Sequence, residues 1–582
     1  MRNAKIVCTL GPASAERDVI ADLAKAGMSV ARLNASHGTV DERAAIIDRV
    51  RAVERETRHS IATMLDLRGP EIRTADVEET ITLDLGDEIR FVEGAVVERP
   101  LIGLTLDITE VEPGTSVLLD DGRIKTVVAG VEGDEVIATV KSGGTLSGRT
   151  GVNIPGVHLD VDIVTEADEE DLDLAVERDI DFIAASFVAD ADDVLAVNEA
   201  LERRDADIPI IAKIEREAAR QNADDIIEAA YGVMVARGDL GVECPLEEVP
   251  VIQKQLIRKC HYRGVPVITA TEMLDSMVHS RRPTRAEASD VANAVLDGSD
   301  AVMLSGETAV GDHPVAVVET MDRLIRTIEA SEEYDDLREQ RIPPPGTSNT
   351  GALARSARYL ARDLGAKAIV VASESGYTAR KVTKFRPGVP IVAVTPEESV
   401  RRQLALSWGV YPMVDQLGEG GITSVIQRAV DAAFESELID SGDTLVVLSG
   451  HMTDVDRETA NTLQVHIAAE RVGMGTGVVS GEASGALTRS DDGVISDIPE
   501  GSILYLSDRF DGELVGDLSR LGGIIHERPG MTGYPAMIAR ELGIPMASGV
   551  SLSRDVEVGE AITLDGDRGV VYRGDVTVQQ PG

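Results

Sequence analysis

Short apolar, β-branched runs punctuate the first half of the chain, each closing on small or polar residues. They are Lys5–Thr9, Ser29–Leu33, Ile61–Leu65, Asp181–Ala185, Ile208–Ala212, Gly232–Ala236, Pro266–Thr269 and Asp300–Leu304. Near-continuous apolarity over so few residues predicts strands buried on both faces. Helical periodicity fills most of the gaps, as in Ala15–Ala26, Glu166–Arg178, Ala218–Ala229 and Ala286–Leu296. Eight strand–helix repeats of this kind imply a parallel sheet closed on itself, a (β/α)8 or TIM barrel.

The third repeat is interrupted. Residues 74–150 carry strand-like pieces (Glu88–Val92, Ser116–Leu119, Val136–Val140) and the turn pairs Asp121-Gly122 and Gly143-Gly144. That pattern predicts a small inserted β-barrel cap over the barrel mouth. The barrel domain is then 1–73 with 151–340. Pro343–Gly346 marks a linker. Beyond it Ala368–Ala372, Pro390–Val394, Val410–Val414 and Thr444–Leu448 alternate with helices, predicting an open, doubly wound α/β domain over 341–472. Gly473, Gly475 and Gly477 follow no strand in the manner of a dinucleotide loop, so a flexible linker is expected there. Residues 473–582 form an extra β-rich module of the swivelling type, with a helix over Pro535–Leu542.

Chemistry gathers where the barrel strands end. Lys213 lies two residues before Glu215, and the run Gly232–Ala236 closes on Arg237, Gly238 and Asp239. One fixed cation and two hard carboxylates at neighbouring strand ends suit Mg²⁺, which prefers few carboxylates plus substrate oxygens. They also suit phosphoryl transfer, which needs positive charge around a moving phosphoryl group. Other strand ends carry Asn34, Ser36 and His37, then Asp66 and Arg68, Thr271 and Glu272, and Ser305, Glu307 and Thr308. Any one of these sets reads as an ordinary helix cap; six ends of eight do not. In the α/β domain the loop Ser373, Glu374, Ser375, Gly376, Tyr377, Thr378 leads from a strand into a helix. Such loops bind phosphate through backbone N–H groups, and the same residues also serve as a plain N-cap.

Composition narrows the partners. The 582 residues carry 101 acidic against 57 basic side chains, a net charge of −44, with only 10 Lys among the basic ones. With 43% hydrophobic residues the acidity belongs to a folded surface, not to disorder. Nucleic acid and anionic membranes are disfavoured as partners. A salt-rich cytosol would screen the self-repulsion, and the balance resembles that of extreme halophiles that accumulate KCl. Cys8, Cys244 and Cys260 show no metal-ligand spacing. Met1–Val7 enters a strand directly with no signal-peptide core, and no run reaches membrane-spanning length, so a cytoplasmic protein is expected.

Several strings, in order, resemble pyruvate kinase over residues 1 to about 470: Lys5–Pro12, Ala31–Gly38, Leu65–Arg73, Gly151–Gly156, Ala212–Glu215, Met234–Gly241, Thr269–Leu274, Met303–Thr308 and Asn461–His466. The resemblance implies transfer of a phosphoryl group from phosphoenolpyruvate to ADP, giving pyruvate and ATP, in a homotetramer. It implies that Lys213 and Arg32 meet the phosphoryl group and that Glu215 and Asp239 ligate Mg²⁺ (or Mn²⁺). Gly238, Asp239 and Thr271 would hold the substrate carboxylate. Asn34, Ser36, Asp66 and the carbonyl of Leu67 would form a K⁺ site. Asn34, Ser36, His37 and Arg73 would lie along the nucleotide. Thr271, with Ser305 and Glu307, would lie on the path that protonates the enol. Ser373, Ser375, Gly376 and Thr378 would bind the phosphate of an effector, a sugar phosphate or a nucleotide monophosphate.

The chain departs from that family pattern in places. Leu67 stands where Thr is common, Arg68 where Lys is usual, and Thr150 where a nucleotide-contacting Lys is expected beside Arg149. Glu71 is retained, which in the family goes with K⁺ dependence. The last hundred residues resemble the mobile domain of enzymes that use phosphoenolpyruvate, through Gly522-Gly523, Met531–Ala536, Ile538–Arg540 and Gly543–Pro545. Tyr534 occupies the phosphohistidine position and offers no imidazole nucleophile, so a structural or regulatory module is expected. The alternatives are a phosphoenolpyruvate synthase relative, which would need a His at 534, and a catalytically altered phosphoenolpyruvate-binding relative.

Overall fold

The computed structural model describes residues 2–57, 59–76, 80–94, 97–157, 161–417, 422–450, 460–495 and 498–576. The outer limits expected for the first and last domains, 1 and 582, lie outside them. Eight parallel strands close a barrel: β1 (Lys5–Thr9), β2 (Val30–Asn34), β3 (Ala62–Asp66), β4 (Phe182–Ala185), β5 (Ile210–Ile214), β6 (Gly232–Ala236), β7 (Val267–Ala270) and β8 (Ala301–Leu304). Each strand pairs with its neighbours in chain order, and β8 closes on β1 through Lys5 opposite Ala301. Val7, Val30, Met64, Phe182, Ile211, Met234 and Ile268 point inward and fill the barrel, while the outward residues pack under the helices. Both faces are therefore apolar, which is why the strands read as continuous runs.

Helix starts are encoded locally. Thr165 caps Glu166–Glu177 and Thr284 caps Arg285–Asp297, each in a reciprocal box with the carboxylate three residues on. Such a cap contributes about 1 kcal/mol. In the first box the Asp168 carboxylate also accepts the backbone N–H groups of Arg68 and Gly69. The cap therefore fixes the loop that follows β3 and carries Leu67 to Arg73. The helix expected over Ala218–Ala229 is broken at Asn222 into Glu217–Gln221 and Ala223–Ala229.

Between β3 and β4 a seven-stranded sheet and a two-stranded ribbon build the cap around Phe91, Val117, Val136 and their neighbours. Among the described residues the chain divides into two compact units. The first holds the barrel and the cap, and it also takes 383–386 and 398–412 from the region expected to be wholly α/β domain. Their burial explains the difference. Ala405 and Leu406 join the barrel's inner cluster, Trp408 joins the cluster under the helices, Arg402 pairs with Asp181, and Lys5 donates to Val410 O.

A five-stranded sheet is ordered Val410–Val414, Ile391–Thr395, Ala368–Ala372, Thr444–Gly450, Ala460–Ile467, its last strand antiparallel; the second unit holds all of it but residues 410–412. The same unit holds the terminal eight-stranded sheet and the helix Tyr534–Leu542. One expectation is overturned here. Gly473, Gly475 and Gly477 are not a linker but lie on or between the strands Arg471–Met474 and Thr476–Val479, the two edges of that sheet. A Cβ on Gly475 would come within 2.3 Å of Ser548 O, and one on Gly477 equally close to Gly566 O. The glycines let backbones meet in a sheet, which composition alone reads as flexibility.

Candidate active site

The polar strand ends converge at the C-terminal rim of the barrel. Lys213, next to last in β5, lies 3.1 Å from Glu215 and 3.5 Å from Asp66 at the end of β3. Its shortest contact is to the Ser186 hydroxyl, at 2.7 Å. Burial works against the Lys213 charge, but Asp66, Glu215 and Asp239 outweigh it and hold the ammonium well above its ordinary pKa. Arg32 on β2 is equally fixed. Its Nε and Nη2 grip Asp66 Oδ2 at 2.7 and 2.6 Å, and Nη1 donates to Thr9 Oγ1. Burial alone would raise the Asp66 carboxyl; Lys213 and Arg32 reverse the sign and keep it ionised.

Glu215 and Asp239 line one cleft with Phe187, Arg216, Ile72 and Asn153, between barrel and cap. Burial raises both carboxyls, and the Asp239 charge raises Glu215 further. Two desolvated carboxylates facing one cleft favour a bound cation there. No cluster of three or more His, Cys, Asp or Glu able to hold a metal occurs among the described residues. Glu215 and Asp239 are a donor set that fits a hard divalent ion taking two protein carboxylates and completing its shell with substrate oxygens and water.

Thr271 follows β7 at φ 63°, Glu272 at φ 54°, and Phe187 after β4 at φ 61°. Such left-handed conformations cost of order 1–3 kcal/mol each and persist only where surroundings hold them. Arg237 is the restraint at Thr271: Nη2 donates to Thr271 O at 2.7 Å, Nε to Ala270 O, and Nη1 pairs with Asp290. The Thr271 hydroxyl in turn accepts the Gly238 N–H at 2.8 Å. A Cβ on Gly238 would meet no protein atom closer than 3.6 Å, so the protein by itself does not demand glycine there. Glu307, buried and raised by that burial, accepts the N–H groups of Ser305 and Leu274. The Ser305 hydroxyl is buried without a hydrogen-bond partner among the described residues.

The remaining assignments are less tightly gathered. Asn34 Oδ1 accepts the Ser36 N–H, and Leu67 O accepts the Ser186 hydroxyl. His37 is exposed; Arg73 pairs with Glu71 at 2.8 Å and donates to Arg149 O. Thr150 is buried with its hydroxyl on Ser147 O, turned into its own turn. Arg68 donates to Ala35 O. In the second unit, Ser373 to Thr378 joins the strand Ala368–Ala372 to the short helix Tyr377–Thr383, with Thr378 buried and Ser375 Oγ accepting the Tyr377 N–H at 3.4 Å. Tyr534 opens its helix next to Gly533.

Ser186, Arg237 and Asp168 were missed in the sequence as contributors. Arg237 reads only as strand-end charge, Asp168 as one acidic residue of a helix, and Ser186 sits at a strand end with no charge at all.

The chain matches the family described as "Pyruvate kinase, barrel domain" over residues 1–318 and "Pyruvate kinase, alpha/beta domain" over 351–466. Residues 498–569 match "PEP-utilising enzyme, mobile domain". It is 43% identical to the pyruvate kinase of Geobacillus stearothermophilus, over 99% of this chain and 100% of that one. It is 40% identical to that of Sporosarcina psychrophila at the same coverage. Among solved structures, a pyruvate kinase from Cryptosporidium parvum superposes with a TM-score of 0.75 at 36% identity, covering 80% of this chain and 96% of that one.

Proposed function

Since this chain belongs to the pyruvate kinase family and transfers a phosphoryl group from phosphoenolpyruvate to ADP, giving pyruvate and ATP, we propose that the cluster around Lys213 is where the transfer occurs. The observation that carries this is the buried Lys213 ammonium, held by Ser186, Glu215 and Asp66 at the barrel rim. A cation fixed before the reaction meets charge that develops on the phosphoryl oxygens at no reorganisation cost. Arg32, locked on Asp66 and Thr9, retains N–H donors for the same phosphoryl group.

Glu215 and Asp239 would hold Mg²⁺ or Mn²⁺, which when bound polarises the transferring group. Gly238 and Thr271 would orient the substrate carboxylate beside them. Asn34, Ser36, Asp66 and Leu67 O are all oxygen donors and suit K⁺, while His37, Arg73, Asn34 and Ser36 face the nucleotide. The unpaired Ser305 hydroxyl and Glu307 support a proton path toward Thr271. Thr150 is unsuited to the nucleotide, which leaves that contact to Arg149. A coupled assay of ADP-dependent pyruvate formation, with KCl and MgCl₂ present, tests the activity. The catalytically altered alternative expects losses among Lys213, Glu215, Asp239 and Thr271, and all four are in place.

The protein works in a cytoplasm rich in KCl, as a homotetramer. No helix among the described residues is long and apolar enough to cross a membrane. With a net charge of −44, melting should occur at least about 10 °C lower in 50 mM than in 2 M KCl, because screening falls with ionic strength. Equal melting temperatures by scanning fluorimetry would remove the halophilic reading and leave the catalytic one.

The loop Ser373, Ser375, Gly376, Thr378 binds an effector phosphate, with Arg380 and Lys381 nearby. Ser375→Glu should abolish activation by sugar phosphates or AMP through like-charge repulsion while basal kcat stays within about twofold. Activation that survives in the variant places the effector elsewhere. The Tyr534 module is structural or regulatory.

A further inference from the structure

Ser186 stands one residue past β4 and is buried, with 4% of its surface exposed. Its oxygen accepts a hydrogen bond from Lys213 Nζ at 2.7 Å. Its own proton has two acceptors in reach, Leu67 O at 2.8 Å and Asp66 Oδ1 at 3.2 Å. The next residue, Phe187, gives its backbone N–H to Glu215 Oε1. One dipeptide thus touches the cation assigned to the phosphoryl group, two oxygens assigned to the monovalent cation and one carboxylate assigned to the divalent ion.

We propose that Ser186 is a positioning residue that couples the monovalent-cation ligands to Lys213. The inference rests on the roles given above to Lys213, Asp66 and Leu67. A Lys ammonium ends a flexible four-carbon stem and has no preferred plane, so its direction comes from its neighbours. Asp66 draws Lys213 toward β3, Glu215 holds it at the end of its own strand, and the Ser186 hydroxyl supplies the third and shortest restraint. A hydroxyl has one proton to give. Donation to Leu67 O competes for that carbonyl, whereas donation to Asp66 Oδ1 leaves it open and weakens the carboxylate's hold on Lys213. Rotation of one O–H bond therefore links the state of the Leu67 carbonyl to the field at the ammonium. The strained Phe187 backbone keeps the dipeptide in place, because its N–H is committed to Glu215.

Ser186→Ala should lower kcat by about 10–100-fold, the usual effect of removing a group that orients a primary ligand. The Kd of phosphoenolpyruvate, measured by calorimetry without ADP, should move by less than about threefold, since the ground-state contacts remain. Half-saturating KCl should rise by about tenfold. Ser186→Thr keeps the hydroxyl and should recover most of the lost rate. In a Lys213→Met background the Ser186→Ala change should cost less than about twofold more, because the two act as one unit. Should the alanine variant melt early, Ser186→Cys leaves no cavity, has a weaker hydrogen-bonding group and carries the same comparisons. Wild-type kcat in Ser186→Ala, losses that multiply in the double variant, or an unchanged KCl dependence each overturn the proposal. A Lys213→Met enzyme of normal activity would instead overturn the Lys213 assignment itself.

Discussion

Replacing Lys213 by methionine lowers kcat by about 10³-fold and moves the KM for phosphoenolpyruvate by less than about threefold. Methionine keeps the length of the stem and removes only the charge. In the ground state the phosphoryl group already carries its negative charge and has Arg32 and the divalent ion as partners, so binding changes little. As the group loosens, its oxygens depend more on a cation already in place, and Lys213 is the one buried between Asp66 and Glu215. Asp66 keeps its two bonds from Arg32 in the variant, so the rim retains its frame. Steady-state kinetics with a melting curve decide the matter. A loss confined to KM would make Lys213 a ground-state anchor and sink the transition-state assignment.

Asp239→Ala should cut activity by about 10³-fold or more at millimolar MgCl₂, since a metal's charge is worth several kcal/mol to this kind of transition state. Two carboxylates are the whole acidic share of the proposed site, and in both the Lys213 charge opposes the effect of burial. Removing one halves the ligand set. It also lowers the repulsion on Glu215, whose carboxyl is raised in part by the Asp239 charge. Electron paramagnetic resonance of added Mn²⁺ reads the loss directly: the wild type should bind it and the variant should leave it free. Normal activity at modest Mg²⁺, or Mn²⁺ affinity equal to the wild type, would take Asp239 out of the metal site.

The eight barrel strands were legible because burial on both faces writes each as one apolar run, and the register errors are one or two residues. The charged rim was legible for a related reason: Lys213, Glu215 and Asp239 are costly residues to place beside such runs and stand out there, while Arg32 entered only through the family resemblance. Ser186 did not stand out. A serine after Ala185 looks like any turn residue, and its value comes from Lys213, Asp66 and Leu67, which lie on other strands. Arg237 was visible as a charge, but its hold on the strained Thr271 backbone depends on a neighbouring strand end.

What the sequence alone determined is therefore whatever periodicity and local chemistry encode: the barrel, the insert, the α/β domain, and the residue types at the rim. The tertiary structure alone decided which groups meet. It turned the Gly473–Gly477 stretch from a supposed linker into sheet edges, because glycine's missing Cβ permits close backbone approach as readily as it permits flexibility. It moved residues 398–412 to the barrel unit, because Leu406 and Trp408 bury surface against strands hundreds of residues away. Contacts between residues distant in the chain leave no periodic trace in it, so hydrogen-bond partners and shifted ionisations at the rim become readable only once the barrel has closed.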